Sequence, residues 1–323
     1  MKTLVTGGAG FIGSTLVDRL LSEGHTVDVL DDLSSGNLAN LASARAAGGC
    51  TFQRLDIISP ETTDFVARRA PEVVFHLAAQ ADVRVSVDNP AFDAMVNLIG
   101  LLHVIEGARL GGARKVVFAA SGGTLYGDPD PSELPIKESA AQRPLSPYGV
   151  SKKAGIDYLA AYRELHQLEF TALALANVYG PRQDPHGEAG VVSIFASRLL
   201  DQSGDRPLIF GTGAQTRDFV YVDDVVDAFA KAAAKGDGLV INIGTGKETS
   251  ITTLFEIMRQ EAGVRIEPVF APARVGELER SCLDNGRAQV QLGWTPWTQL
   301  DDGVGAVLRQ VHAEMTGAAS HTD

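Results

Sequence analysis

A phenol and an ammonium one helical turn apart are the groups with most chemical promise in this sequence. They are Tyr148 and Lys152, in the run Tyr148-Gly149-Val150-Ser151-Lys152-Lys153-Ala154. Ile156, Leu159 and Tyr162 continue at helical spacing, so the two side chains share one helix face. A phenol with an ordinary pKa of about 10 is a poor base at neutral pH, and an adjacent ammonium favours its phenolate. Bringing it close to 7 requires roughly 4 kcal/mol of differential stabilisation. A nearby lysine together with a cationic cofactor ring can supply that. Tyr-x-x-x-Lys alone is common by chance, so its meaning depends on whether the same chain binds a dinucleotide.

The elements that would position such a cofactor start at the first residues. Lys2-Thr3-Leu4-Val5-Thr6 is a short apolar, β-branched run, and Ile12, Leu16 and Leu20 follow at helical spacing. Between them Gly7-Gly8-Ala9-Gly10-Phe11-Ile12-Gly13 sits on a strand-to-helix turn. Two glycine triplets fit a dinucleotide fingerprint: Gly8, Gly10, Gly13, and Gly7, Gly10, Gly13. In either, the first two glycines let the backbone approach a pyrophosphate and the third lets the helix approach the strand. The pyrophosphate then meets the unpaired N–H groups of the helix N-terminus. Thr26-Val27-Asp28-Val29-Leu30 reads as a second strand ending in Asp31-Asp32. A carboxylate there can accept from both adenosine ribose hydroxyls and repels a 2′-phosphate, and no Arg directly follows to offset the repulsion. NAD is therefore expected over NADP; the plainer alternative is a pair of solvated turn aspartates.

Further strands follow: Cys50 to Leu55, Val73 to Leu77, Lys115 to Ala120 and Thr171 to Leu175, with a helical segment containing Met95, Leu98, Leu102 and Ile105. Buried apolar strands alternating with helices predict an α/β fold, a doubly wound parallel sheet with a smaller, mixed C-terminal domain. The division is expected at 1–176, mainly cofactor-binding, and 177–323, mainly substrate-binding, with some chain crossing back. Ligands of such sheets lie beyond the carboxyl ends of the strands. Asp56 stands there, as an acceptor for an adenine amino group or as a turn residue. Ala78-Ala79-Gln80 supplies small residues past which a cofactor can lie close. His76 reads as a satisfied core histidine, and Asn97 as a partner of cofactor or of loop backbone. The loop from Gly122 to Pro147 is rich in Gly, Pro and Ser. In the second half Pro207 to Gly211 reads as a strand, and Asn242-Ile243-Gly244-Thr245-Gly246 as a turn supporting the substrate domain rather than a second phosphate loop.

The chain of 323 residues has an ordinary apolar fraction of 45%, enough for one large or two intimately packed domains. Its formal charge of −12 argues against nucleic acid or an anionic membrane as partner. Cys50 and Cys282 form neither a disulfide framework nor a metal-ligand set, so no metal is expected. No apolar run is expected to span a membrane, and a cytoplasmic location follows as the default.

The combination of Gly7–Gly13, Asp31, Ala78-Ala79-Gln80, Ser121, and Tyr148 with Lys152 resembles the extended short-chain dehydrogenase/reductases. Within them the sequence is similar to the UDP-glucose 4-epimerases and their sugar-nucleotide relatives. Leu77-Ala78-Ala79-Gln80-Ala81, Ser146-Pro147-Tyr148-Gly149, Arg217 to Asp224 and Leu292-Gly293-Trp294 carry the likeness over nearly the whole chain. It implies a Rossmann-type NAD site built from Gly7, Gly10, Phe11, Ile12, Gly13, Asp31, Asp32, Ser35, Gly36, Asp56, Ile57, Leu77, Ala78, Ala79, Gln80, Asn97, Tyr148 and Lys152. It implies a UDP-sugar substrate held by Ser121, Thr124, Tyr148, Asn177, Arg217, Arg274, Glu277 and Ser281, and a homodimer. The third catalytic position is Ser121 counted from the strand. Counted back from Tyr126 it is Gly122, with Thr124 as another hydroxyl in reach; Ser121 is favoured because the strand fixes it. The family's dehydratases carry an acidic pair where Gly122-Gly123 stands, which argues against sugar dehydration. Ser281 falls where some epimerases carry a bulky Tyr beside the sugar's C2 group. The implied activity is NAD-dependent 4-epimerisation of a UDP-hexose, with decarboxylation or net dehydrogenation of a nucleotide sugar, or NAD sensing without turnover, as rivals.

Overall fold

The computed structural model describes residues 1–185, 190–201, 205–274 and 278–319. Six strands of the first half, β1 (Lys2–Thr6), β2 (Thr26–Asp31), β3 (Cys50–Arg54), β4 (Val73–His76), β5 (Lys115–Ser121) and β6 (Glu169–Leu175), join a seventh, Leu239–Ile243, in one sheet. From edge to edge the order is Leu239–Ile243, β6, β5, β4, β1, β2, β3, and every pairing is parallel. The chain winds outward from β1 through β2 to β3, then returns to the other side of β1 with β4. That reversal opens the crevice between β1 and β4. This is the Rossmann-type, doubly wound fold expected.

The central strands are buried on both sides because helices cover both faces, whereas the edge strand β3 is half-exposed. On one face Leu16, Val17 and Leu20 of the first helix, α1 (Phe11–Ser22), pack with Val225, Ala228 and Phe229 of the helix Val222–Ala232. On the other, Leu101, Val104 and Ile105 pack with Phe65, Val66, Val116, Phe118 and Ile156. A third cluster joins Phe195, Phe255, Val304 and Leu308 from the helices Val191–Leu200, Ile251–Glu261 and Leu300–Ala319 in the smaller part of the molecule.

One strand was not singled out in the sequence, and one run departs from its reading. The seventh strand lies in the second half, where alternation of strands and helices breaks down; it reaches back to β6 and carries the helix Val222–Ala232 onto the sheet with it. The run Pro90–Leu110 is also long and apolar enough, at 21 residues and mean hydropathy 1.4, to match a membrane span by composition, contrary to the expectation that no run would. Here its apolar stripe is spent on the sheet instead: Leu101, Val104, Ile105 and Ala108 are fully buried in the core. The run is broken in the middle by a π-helical turn, Met95–Ile99, which carries Asn97.

Candidate active site

The glycine turn sits at the sheet crevice, and the structure decides which triplet serves it. Gly7 follows β1 with φ 69°, a left-handed conformation, and a Cβ there would lie 2.7 Å from the Ala78 nitrogen across the crevice. A Cβ on Gly13 would stand 2.1 Å from the Gly7 carbonyl oxygen. At Gly10 the one neighbour within 4 Å is that same oxygen, at 3.3 Å. Gly7 and Gly13 are thus required by backbone packing, while Gly10 leaves the front of the turn open to a ligand. Gly8 instead makes room for Val29 of β2. Gly10 is also the N-cap of α1 and offers no side chain to its first N–H groups, including those of Phe11, Ile12 and Gly13. A pyrophosphate fits this cradle on steric and electrostatic grounds.

Asp31 and Asp32 divide between the two readings offered above. Asp31 is buried; its Oδ2 accepts from Ala9 N at 2.9 Å and its Oδ1 from Leu33 N at 2.8 Å. Burial pushes its carboxyl above its ordinary value, an effect those two N–H donors oppose. Each oxygen keeps a further lone pair for a ribose hydroxyl. Gly36 lets the following loop pass, since a Cβ there would stand 2.9 Å from Asp31 Oδ1. Asp32 is half-exposed and closes its own turn by accepting from Ser34 N and Oγ, with Ser35 exposed beside it. Asp56 likewise holds a turn, its Oδ1 accepting from Ile58 N at 3.0 Å. The Ile57 side chain is buried and wedged against Gly100, where a Cβ would meet it at 2.7 Å.

After β4 the backbone of Leu77, Ala78 and Gln80 is tied down on either side of Ala79. Leu77 N donates to Thr6 O at 3.1 Å and Ala78 N to Thr6 Oγ1 at 3.3 Å. Thr6 Oγ1 also shares a hydrogen bond with His76 Nδ1, at 2.8 Å. His76 is buried and held neutral, its pKa lowered to about 3 by burial and then by the charge of Lys152. It is the core histidine expected. Asn97 bonds loop backbone: its Oδ1 accepts from Gln80 N at 3.0 Å and its Nδ2 donates to Gln80 O at 2.9 Å. Asn97 and Gln80 also share a partner that the sequence did not single out, the buried Asp93.

Tyr148 and Lys152 stand in the first two turns of the helix Pro147–His166, capped by Ser146, whose Oγ accepts from Gly149 N at 3.2 Å. Two glycines set this helix close to the sheet. A Cβ on Gly149 would meet Thr124 O at 2.8 Å, and one on Gly155 would meet Leu101 Cδ2 at 2.9 Å. Lys152 is 3% exposed, and its Nζ lies 4.9 Å from the Phe118 ring centroid and 5.6 Å from that of Tyr148. The buried ammonium lies over both ring faces, a cation–π arrangement that holds it adjacent to the phenol. Ser121 ends β5, three residues beyond Phe118 and in register with Leu175. Gly122 then packs against Leu283, where a Cβ would stand 2.4 Å from its Cδ1, while Gly123 has open space around it. Thr124 turns its hydroxyl back toward Ser121 O at 3.5 Å.

On the substrate side, Asn177 is exposed at the start of a short strand, Asn177–Tyr179, that pairs with Phe219–Tyr221. Arg217 is half-buried and donates to Thr216 O. Arg274 is exposed with its guanidinium 3.9 Å from the Phe210 ring centroid. Glu277 lies outside the described residues. Ser281 is nearly buried and lines a cleft with Gly122, Gly123, Tyr126, Leu278 and Arg280. Beneath these stands Asp218, fully buried and quoted in the sequence only as part of a motif. Its Oδ1 accepts from Thr245 N and Oγ1, and its Oδ2 from Gly246 N and Leu283 N. The Gly244–Gly246 turn therefore wraps a structural carboxylate.

The comparisons with known proteins agree with this geometry. A family model described as the NAD dependent epimerase/dehydratase family matches residues 3–244. The chain is 52% identical over 305 residues to the UDP-glucose 4-epimerase of Mycolicibacterium smegmatis, covering 94% of this chain and 96% of the relative. Its fold superposes on the UDP-glucose 4-epimerase of Thermotoga maritima, solved with UDP-glucose, with a TM-score of 0.93 at 43% identity, over 98% of this chain and 100% of the other. For the Thermus thermophilus UDP-glucose 4-epimerase in complex with NAD the TM-score is 0.89 at 39% identity, over 96% and 99%.

Proposed function

The chain belongs to the NAD dependent epimerase/dehydratase family, and from that premise we propose that it interconverts the C4 epimers of a UDP-hexose. It is an isomerase with NAD as its cofactor. The open turn at Gly10 and the buried acceptor Asp31 fit that cofactor at both its pyrophosphate and its adenosine ribose. The observation that carries the reading is the buried Lys152 ammonium beside the Tyr148 ring, in a helix seated by Gly149 on the turn that follows Ser121.

NAD, when bound, supplies a hydride acceptor and donor for a carbinol carbon. Tyr148, with its phenolate favoured by Lys152, removes the proton from the sugar's 4-hydroxyl and returns it when the 4-keto sugar is reduced on its other face. Ser121 hydrogen-bonds the reacting oxygen. Asn177, Arg217 and Arg274 hold the diphosphate, with Arg suited to a bidentate grip. Gly122 and Gly123 stand where the family's dehydratases carry an acidic pair, and a side chain at 122 would have to displace the Leu283 methyls, which supports epimerisation over dehydration. Ser281 in the cleft wall supports acceptance of N-acetylated sugars alongside plain hexoses. We also assign a homodimer, through the exposed apolar residues Phe92, Met95, Ile99, Val150 and Tyr158 on the Pro90–Leu110 and Tyr148 helices; light scattering at twice 34.2 kDa tests it.

A panel of nucleotide sugars incubated with the protein and separated by chromatography tests the reaction. UDP-glucose and UDP-galactose should interconvert while total NAD stays constant. NADH accumulating in step with product would mean net dehydrogenation, and no conversion of any UDP-hexose would remove the reading.

A further inference from the structure

Asp93 lies outside the glycine turn and outside the helix carrying Tyr148, yet it touches elements on both sides of the site. It is fully buried on the short helix Pro90–Ala94. Its Oδ1 accepts from Asn97 Nδ2 at 2.9 Å and from Gln80 Nε2 at 3.2 Å, and its Oδ2 accepts from Ser151 Oγ at 2.5 Å. The donors come from three places: the π-helical turn, the loop after β4, and the catalytic helix between Tyr148 and Lys152. Burying a carboxylate is costly unless its oxygens are satisfied, and apolar residues would serve packing as well or better. What the carboxylate provides instead is a fixed geometry between Gln80 and Ser151. Asn97 extends that grip to both backbone groups of Gln80.

We propose that Asp93 is a positioning residue, locking the Ala78–Gln80 wall of the cofactor crevice to the Ser151 turn of the helix that presents Tyr148 and Lys152. The inference rests on the NAD site and on the catalytic helix, and leaves open which sugar is turned over. Removing the carboxylate frees the crevice wall: Asn97 Nδ2 and Gln80 Nε2 keep only their bonds to Gln80 O and Asp82 O, and the buried Ser151 hydroxyl loses its acceptor. Replacing it by the amide keeps an oxygen for Asn97 and Gln80, and the Ser151 hydroxyl can reverse to accept from the new N–H.

The test is NAD affinity of the full chain, measured by calorimetry without sugar, beside the melting temperature. Asp93→Ala should weaken NAD binding by about tenfold or more, and Asp93→Asn should stay within about threefold of wild type, the scale of one buried hydrogen bond lost or kept. Ser151→Ala keeps the Gln80–Asn97–Asp93 cluster, so its NAD affinity should stay within about threefold while kcat falls by about tenfold at unchanged KM. A purely structural role would lower the melting temperature of Asp93→Ala and leave NAD affinity untouched; that outcome overturns the proposal. So does an NAD loss in Asp93→Asn or Ser151→Ala as large as about tenfold, which decides the matter even if Asp93→Ala fails to fold. Because NAD affinity is read without sugar, inactivity toward UDP-hexoses would count against the proposed reaction and not against this lock.

Discussion

The ammonium of Lys152 lies 4.9 Å from the centroid of the Phe118 ring, so the strand that ends in Ser121 also supplies the surface on which the catalytic lysine rests. The strand thereby touches the helix that carries both Tyr148 and Lys152, and that helix starts at the cap Ser146.

Tyr148→Phe removes the proton acceptor and keeps the ring against which Lys152 lies. NAD and nucleotide-sugar binding should persist, measured by calorimetry, while kcat drops by about a hundredfold or more, the low end for general acid–base catalysis. A variant with near-normal turnover would place the proton transfer elsewhere.

Ser121→Ala and Thr124→Ala separate the two candidate hydroxyls. Ser121 ends a strand held on both sides, whereas the Thr124 hydroxyl is turned to the Ser121 carbonyl. Steady-state kinetics should therefore show the larger kcat loss in Ser121→Ala, by about tenfold over Thr124→Ala if one transition-state hydrogen bond is at stake. The reverse order would assign the role to Thr124.

His76 bears on stability against pH. Its folded-state pKa is lowered to about 3, below the ordinary value of 6.5, by burial and by Lys152. Above pH 6.5 the ring is neutral in both folded and unfolded chains and makes no pH-dependent contribution. As pH falls from 6.5 toward 3 the unfolded chain takes up a proton that the folded chain refuses, and stability is lost at up to roughly 1.4 kcal/mol per pH unit. Denaturant titrations between pH 5 and about 7 should show a shallower acid slope in His76→Asn, which keeps an acceptor for Thr6 without the titrating ring. Equal slopes would mean that His76 is not the group responsible.

Ser281→Tyr tests the cleft wall. A ring placed beside Gly122 and Gly123 should suppress conversion of UDP-GlcNAc while largely sparing UDP-glucose. Equal loss on both sugars, or wild-type protein inactive on UDP-GlcNAc, would remove Ser281 from any part in selectivity.

Much of this architecture was legible in the sequence because it is written locally. The strands β1, β2, β4, β5 and β6 are short, largely apolar runs, and Tyr148 with Lys152 is a spacing on one helix. Spacing alone left Gly7 and Gly8 open, since the choice depends on Ala78 approaching from a strand some seventy residues away, and only the family resemblance pointed to Gly7. Leu239–Ile243 escaped for a similar reason: it is a short edge strand whose one partner is β6. Asp93 and Ser151 look like ordinary helix polar residues until the fold brings them together. Asp56 shows the converse case, where the turn role offered as the plain alternative is present in the structure.

Leu283 has a consequence for how selectivity can change over time. Its backbone N–H is held by Asp218, its neighbours Cys282 and Asp284 exchange backbone hydrogen bonds with Ile136, and its side chain fills the space beside Gly122. The wall residue Ser281 is thus mounted on an anchor that does not depend on what side chain it carries. On the proposed function, a single codon change at 281 can reshape the cleft that would meet the sugar while the anchor, the strand ending in Ser121 and the cofactor crevice keep their places. Drift in substrate preference along a lineage of such proteins therefore need not pass through misfolded or cofactor-free intermediates.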